Sequence, residues 1–218
     1  MISHAGSVRA KSAAGVSETL CSQLLQGMHA AAQPLTILLA SLGTANTGRM
    51  STAELRELSD SSAAQVQAVC TLFRYLQELL LAQSTKAHLC PTSILPLLAH
   101  VVDGVELLFR KAGVSLSTSL PDSCQLVLID RARTIQALTS VLLIVHALSS
   151  ARDTVELILT STPATVQIVI RNLHSPVQGI NAEGSLSMAL AETNMRSQQA
   201  GFSLSLQPFH VEIELQKA

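Results

Sequence analysis

One histidine stands in a sequence context that could support chemistry. His29 lies in the stretch 27–36, which reads GMHAAAQPLT. A neutral imidazole nitrogen accepts a phosphoryl group near neutral pH, because the unperturbed pKa of the ring is about 6.5. The small side chains beside His29 leave the ring open to a reaction partner. Gln33 and Thr36 follow about one and two helical turns later, so on a helix they share a face with His29.

The other residues capable of chemistry are scattered along the chain. The four cysteines form no Cys-x-x-Cys pair and show no metal-ligand spacing with a histidine, which favours buried free thiols in a reducing compartment. They are Cys21, Cys70, Cys90 and Cys124. The remaining histidines also lack ligand spacing, and we interpret them as structural or surface residues: His4, His88, His100, His146, His174 and His210.

Composition bounds the class of protein. The 218 residues are 48% hydrophobic, 13% charged and 2% aromatic, with a net charge of −1. This balance predicts a folded chain with an aliphatic core. The absence of a basic stripe argues against a nucleic-acid partner, and near-neutrality gives no reason to expect a membrane surface. No run reaches the roughly 18 to 20 apolar residues of a membrane span, and 1–16 lacks the apolar core of a secretory signal, so we expect a cytoplasmic protein.

The first part of the chain is predicted to be a helical hairpin. Apolar residues recur at helical spacing over 17–43 and 51–83, with a turn between them. Ser51 and Glu54 form a capping box at the start of the second helix. Pro34 lies inside the first helix, where it is expected to cause a kink. Two stripes of this kind cannot be buried by one hairpin, so we predict a four-helix bundle in a homodimer.

The rest of the chain alternates between helical and strand patterns, which predicts an α+β sandwich with one sheet faced by three helices. A flexible N-terminus (1–16), the hairpin (17–86) and the sandwich (87–218) are the predicted domains. Two short strands are expected around a turn at Pro121-Asp122, and 173–184 is expected to be a loop. The predicted helices are 93–111, 131–150 and 185–199, and the predicted strands are 114–118, 125–129, 155–160, 166–171, 202–207 and 211–216.

The His29 segment resembles the phosphoacceptor box of sensor histidine kinases. That box runs His, an acidic residue, two variable residues, Thr or Gln, Pro and Leu, and it lies in the first helix of a dimerising hairpin. Gln33, Pro34 and Leu35 match its last three positions. The order of elements from about residue 17 onwards also resembles a kinase hairpin followed by its ATP-binding domain. The resemblance implies that His29 is the phosphorylated residue and that Pro34 is the family's helix kink.

Residues that the resemblance requires for ATP chemistry are absent. The acidic residue after the histidine is Ala30, and the Asn positions that hold magnesium and phosphates correspond to Leu142 and His146. The Asp-x-Gly-x-Gly loop corresponds to 171–175, which lacks the acid and both glycines. The later Gly-x-Gly corresponds to 184–187, and 175–184 is too short for the usual ATP lid. These losses would remove the magnesium ligands, the adenine acceptor and the phosphate cradle.

A kinase-like shape without a kinase site resembles the ChpT-type histidine phosphotransferases of bacterial phosphorelays. This resemblance implies a homodimer in which His29 takes a phosphoryl group from one response-regulator receiver domain and passes it to another. Gln33 would support transfer or dephosphorylation. The chain would need no cofactor of its own, because Mg²⁺ would come with the receiver domain.

Two alternatives stay open. Ala30 favours a non-catalytic, pseudokinase-like adaptor that binds a regulator or kinase, and an active kinase with an unusual nucleotide site is the second alternative. Leu25 and Leu39 belong either to the hairpin core or to a surface that docks a receiver domain.

Overall fold

The computed structural model describes residues 22, 24, 25, 27–43, 51–123, 126–172 and 180–218. The chain divides into two compact units between Gln77 and Glu78. The domain boundary predicted from the sequence, at 86–87, lies about nine residues after this division. It stays a prediction. The predictions for 1–21 and for the turn at 44–50 fall outside the described residues.

The first unit contains the predicted helical hairpin. Helix α1 comprises the described helical residues 22, 24, 25 and 27–43, and helix α2 spans Thr52–Ser84. The predicted capping box is confirmed, because the Ser51 amide donates to Glu54 Oε2 at 2.6 Å and the Glu54 amide donates to Ser51 Oγ at 3.3 Å. The hydrogen bond from the Ser51 amide lowers the pKa of the Glu54 carboxyl below its ordinary value.

The second unit is an α+β sandwich, as predicted. Its main sheet has the strand order β2-β4-β5-β7-β6, in which only the β2–β4 pair is parallel. A separate two-stranded antiparallel sheet joins β1 to β3. In chain order the elements are β1 (Cys90–Thr92), α3 (Ile94–Ala112), β2 (Ser115–Ser119), β3 (Val127–Ile129), α4 (Arg131–Leu148), β4 (Thr154–Ser161), β5 (Thr165–Asn172), α5 (Ala182–Arg196), β6 (Gly201–Leu206) and β7 (Phe209–Gln216).

The core of the second unit lies between one face of the main sheet and the helices. Burial alternates along β5, where Val166, Ile168 and Ile170 are fully buried and the residues between them are partly exposed. The same alternation occurs in β4 and β7. Since alternate residues of a strand point to opposite faces, one face of the sheet is covered by the helices.

Local signals set the helix ends of the second unit. Helix α3 stops at Gly113, which has a φ of 71°, a left-handed conformation that glycine adopts without strain. Asn181 caps α5 by accepting a hydrogen bond from the Gly184 amide at 2.8 Å. The helix therefore begins at Ala182, three residues before its predicted start.

The structure gives strand partners that the sequence did not predict, and it corrects one prediction. The two strands on either side of Pro121-Asp122 have different partners, since β2 pairs with β4 and β3 pairs with β1. Strand β1 was not predicted, since three residues that include Pro91 carry no alternating pattern.

The thiols of Cys70 and Cys90 are free but exposed, which contradicts the prediction of buried cysteines, whereas Cys21 and Cys124 lie outside the described residues.

Asp130 joins the start of α4 to the segment before β1. Its Oδ1 accepts from the Ala132 and Arg133 amides at 3.1 and 3.3 Å, and its Oδ2 accepts from the His88 amide at 3.0 Å. Burial raises the pKa of Asp130, but the amide hydrogen bonds and the Arg133 charge outweigh burial and hold it below the ordinary value of 3.8. The ionised carboxylate therefore stabilises the folded second unit.

We expect Asp130→Ala to lower the free energy of unfolding by about 1 to 2 kcal/mol at pH 7, the usual cost of removing a helix cap. Because the folded pKa lies below the unfolded value, the ionised group contributes stability above pH 3.8, and that contribution is lost as the pH falls through the folded pKa. Urea unfolding followed by circular dichroism at pH 7 and pH 3 measures both effects. Asp130→Asn should lose less stability on acidification than the wild type, whereas the exposed control Asp103→Asn should match it. Equal losses for Asp130→Asn and the wild type would contradict this role.

Candidate functional site

His29 lies on the exposed side of α1. The buried residues of the helix, Gly27, Ala31 and Pro34, lie on its other side. This placement gives the imidazole open access to solvent, as a phosphoacceptor requires. The residues that share its face on the helix are all exposed: Leu25, Ala32, Gln33, Thr36 and Leu39.

Leu25 and Leu39 are the most exposed large apolar side chains on α1, at 63% and 70%. They flank the His29 face at its two ends. Neither is part of the buried side of the hairpin in the single chain, so the docking alternative from the sequence is compatible with the geometry.

The two polar residues near His29, Thr36 and Gln33, differ in the contacts of their side chains. The Thr36 hydroxyl donates to the Ala32 carbonyl oxygen at 2.9 Å, so it is tied to its own helix. Gln33 is exposed one turn after His29, with its amide on the surface. Ala30 is partly buried and brings no carboxylate to the ring. Gln33 is therefore the side chain best placed to assist chemistry at His29.

Helix α4 lacks the carboxylates and the Asn side chains that most often hold magnesium, since Arg131–Leu148 contains no Asn, Asp or Glu. Leu142, which the resemblance compares with one of the family's Asn positions, is fully buried in the apolar core and presents no side chain to a ligand.

His146 is held by structural contacts. Its Nε2 lies 3.2 Å from the Leu108 carbonyl oxygen, and its ring meets the Phe109 ring edge-on with centroids 5.0 Å apart. A carbonyl oxygen only accepts hydrogen bonds, so Nε2 carries the proton. These contacts fit the structural role that was expected for this histidine.

A polar bridge joins α2, α4 and α5. The Gln136 amide nitrogen donates to Glu78 Oε2 at 2.7 Å, and the Asn194 amide nitrogen donates to Gln136 Oε1 at 2.9 Å. Asn194 is buried and lies across from α4. Both ends of the Gln136 amide are thereby used inside the protein, and they are not offered to a nucleotide.

The end of β5 is also occupied by internal contacts. Arg171 pairs across the strands with Glu156, at 2.8 Å from Nε and 2.7 Å from Nη2. Asn172 is buried and its Nδ2 donates to Ser149 Oγ at 2.9 Å and to Asp153 Oδ2 at 3.3 Å. The rest of the loop compared with Asp-x-Gly-x-Gly, residues 173–175, lies outside the described residues, as does the first half of the predicted short lid, 175–179.

Gly184, the surviving glycine of the compared Gly-x-Gly, has a packing role. It lies in the first turn of α5, where a Cβ would come within 2.5 Å of Ile180 Cγ2 and 3.1 Å of Asn181 Oδ1. The absence of a side chain therefore lets Ile180 and the capping Asn181 fold over the helix start. Among the described residues, no group of three or more His, Cys, Asp or Glu side chains could hold a metal ion.

We expect Gly184→Ala to destabilise the second unit by about 1 to 3 kcal/mol, because the new methyl group overlaps Ile180. Gly104 is the matched control, since it lies in α3 and a Cβ there meets nothing within 4 Å. Gly104→Ala should stabilise the protein by about 0.5 to 1 kcal/mol through helix propensity. Thermal unfolding of both variants measures the two effects, and a shift in the same direction for both would contradict the packing role.

The fold matches solved structures of histidine kinases. The histidine kinase AdeS from Acinetobacter baumannii is similar with a TM-score of 0.61 and 17% identity, over 85% of this chain and 94% of that chain. The histidine kinase ThkA, solved in complex with the response regulator protein TrrA, is similar with a TM-score of 0.67 and 13% identity, over 97% and 63%. Full-length ShkA, solved in complex with AMPPNP, gives 0.57 and 12%, over 88% and 45%.

These likenesses show that the chain has a histidine-kinase-like fold. No protein-family profile matches the sequence. No curated protein matches it either. None of the helices that the structure describes is long and apolar enough to cross a membrane.

The sequence pattern did not reveal the polar bridge or the contacts of Arg133. Arg133 lies partly buried on α4 and contacts the end of α2, but a single Arg in a mixed sequence carries no such signal. The one hint was Gln136 inside an apolar helix, because a buried amide needs partners. Those partners come from α2 and α5, which are distant in sequence.

Proposed function

We propose that this protein is a histidine phosphotransferase of a bacterial two-component phosphorelay, with His29 as the phosphoacceptor and no ATP-dependent activity of its own. The single observation that carries the proposal is the contrast between the two units. His29 is exposed on α1, whereas α4 contains no Asn, Asp or Glu, the side chains that most often hold magnesium. The fold favours a two-component role, and this contrast favours transfer over synthesis of phosphohistidine from ATP.

Response-regulator receiver domains are the proposed partners. ThkA, which has a similar fold, was solved in complex with a response regulator. In this chain the exposed Leu25 and Leu39 flank His29 and offer an apolar surface to a receiver domain. The receiver domain would supply the aspartyl phosphate and its Mg²⁺, so the chain needs no metal site of its own.

The proposed transfer is an in-line displacement at phosphorus. An unprotonated imidazole nitrogen of His29 attacks the phosphoryl group, an N–P bond forms, and the P–O bond to the receiver aspartate breaks. The aspartate leaves as a carboxylate, and the proton on the other ring nitrogen maintains the neutral tautomer until transfer. The reverse step delivers the group to a second receiver. Gln33, exposed one turn away, is placed to position the phosphoryl oxygens or a water.

A homodimer through the hairpin is part of the proposal. Val66, Phe73 and Leu80 recur every seven residues on α2 and all are exposed in the single chain. Met28, Leu35 and Leu42 show the same spacing and exposure on α1. A heptad repeat of exposed apolar residues is typical of helices that pack against a partner helix, and a second hairpin would cover both stripes.

An adaptor without phosphotransfer is the second candidate. Ala30 favours it, since no carboxylate lies next to His29 to polarise the ring. In that case the Leu25 and Leu39 surface would bind a regulator or kinase, and His29 would not be modified.

The direct test is transfer of labelled phosphoryl groups from phosphorylated receiver domains of the same organism. The wild-type chain should gain label, and His29→Ala should gain none, because the acceptor nitrogen is missing. His100→Ala is the matched control, since His100 is exposed on α3 and far from the box in sequence. It should gain label at the wild-type rate, and ATP alone should label none of the three proteins.

The other outcomes separate the alternatives. Receiver binding without any label on the wild type would indicate the adaptor. Label taken from ATP would mean that the second unit binds a nucleotide despite the residues of α4.

The dimer is tested by adding a charge to the α2 stripe. Phe73→Glu should convert the protein to a monomer, because a carboxylate cannot be buried unpaired in an apolar bundle. Gln67→Glu adds the same charge on a different face of α2 and should leave the dimer intact. Sedimentation velocity gives the mass of each species. A monomeric wild type, or a Phe73→Glu variant that still dimerises, would contradict the proposed interface.

A further inference from the structure

The segment 78–92, which includes the predicted domain boundary, is attached to the second unit along its whole length. We propose that this segment is a strap held by Arg133 and that it releases as one piece while the rest of the second unit stays folded. The strap comprises the last turns of α2, the turn after it and β1. Release would shorten α2. The proposal does not depend on phosphotransfer at His29.

Both apolar burial and a side-chain hydrogen bond hold the helical part of the strap in place. Leu79 is fully buried and Ala82 is nearly so. Glu78 accepts the hydrogen bond from Gln136, which is itself joined to Asn194 of α5. The last turns of α2 therefore depend on side chains of α4 and α5 as well as on their own helical hydrogen bonds.

Arg133 fastens the turn that follows α2. Its Nη1 donates to the Ala82 carbonyl oxygen at 2.9 Å and to Ser197 Oγ at 2.8 Å. Its Nη2 donates to the carbonyl oxygen and the hydroxyl of Thr85 at 3.0 and 2.5 Å. One guanidinium thus joins the end of α2 to the end of α5. The carbonyl oxygens of Ala82 and Thr85 are among the acceptors that a helix end leaves unpaired.

The rest of the strap is held by backbone pairing. The His88 amide donates to Asp130, the same carboxylate that caps α4 and lies 3.7 Å from Arg133 Nε. Cys90 and Thr92 then pair with Ile129 and Val127 in the two-stranded sheet. Asp130 and Arg133 therefore act together, one on each side of the turn.

The strap is attached to the core of the second unit without being part of it. The continuous apolar core begins at Ile94, and none of its members comes from residues 78–92. Most of the contacts that hold the strap are polar and reach the surface at Thr85 and His88. A segment of this kind has a local stability below that of the whole domain, so it opens before the core does. Because Arg133 touches two parts of the strap, its loss should open them together.

Native-state hydrogen exchange on the full-length protein tests the proposal, with mass spectrometry of peptides from 78–92 and from β4, β5 and β7. In the wild type, the amides of the strap should share one exchange rate that is faster than the rate of the sheet. Arg133→Ala should raise the strap rate by about tenfold or more, as expected for losing hydrogen bonds from a charged group, and should leave the sheet unchanged. Arg131→Ala is the matched control, since Arg131 is exposed in the same turn of α4.

Two milder variants keep the test valid if Arg133→Ala does not fold. Arg133→Lys keeps the charge but not the two-armed donor, and Thr85→Val removes the hydroxyl that accepts from Arg133 and donates to the Leu81 carbonyl oxygen at 2.7 Å. Both should accelerate exchange across the whole strap, by less than Arg133→Ala. Three results would overturn the proposal: strap and sheet exchanging at one rate, strap residues exchanging independently of each other, or Arg131→Ala and Arg133→Ala having equal effects.

Discussion

The second unit is assembled around helix α4, and the packing of that helix constrains everything else. Seven of its residues are buried, on the sides that face the sheet and the neighbouring helices: Thr134, Ala137, Leu138, Val141, Leu142, Ile144 and Val145. Burial of this much aliphatic surface is the main source of stability in such a domain. Helix α4 contains no Asn, Asp or Glu, and its one side-chain amide, that of Gln136, bonds to Glu78 and Asn194.

The two units therefore carry different properties of a histidine-kinase-like fold. The hairpin keeps an exposed histidine on α1, with apolar residues around it that a partner can cover. The second unit has the α+β sandwich, but several of its polar side chains hydrogen-bond to other side chains of the same unit. Gln136 bonds to Glu78 and Asn194, and Asn172 bonds to Ser149 and Asp153. Polar groups used in this way stabilise the domain and are not available to a ligand.

Much of this architecture could be predicted from the sequence. Long helices with regular apolar stripes, the capping box at Ser51 and the alternating strands β4, β5 and β7 depend on local patterns, and they were predicted nearly in place. The partners of β2 and β3 were not predicted, because strand partners are chosen by tertiary contacts. Strand β1 is too short to carry a pattern of its own.

The site could be predicted only in part. The His29 box is a contiguous motif, so the sequence places it on one helix face. The burial of Leu142 could not be predicted, because which side of a helix meets the core depends on its neighbours in space. The contacts of Arg133 and Gln136 join residues about 50 or more positions apart, and no local pattern records such pairs.

Calorimetric titration of the purified protein with MgATP, together with its melting temperature at millimolar nucleotide, most directly tests whether a kinase fold is present without kinase chemistry. A ligand at 100 times its dissociation constant stabilises a protein by roughly 2.7 kcal/mol, which a melting curve detects easily. We expect no saturable heat and no change in melting temperature. Saturable binding with a raised melting temperature would contradict the proposal that this protein has no ATP-dependent activity of its own.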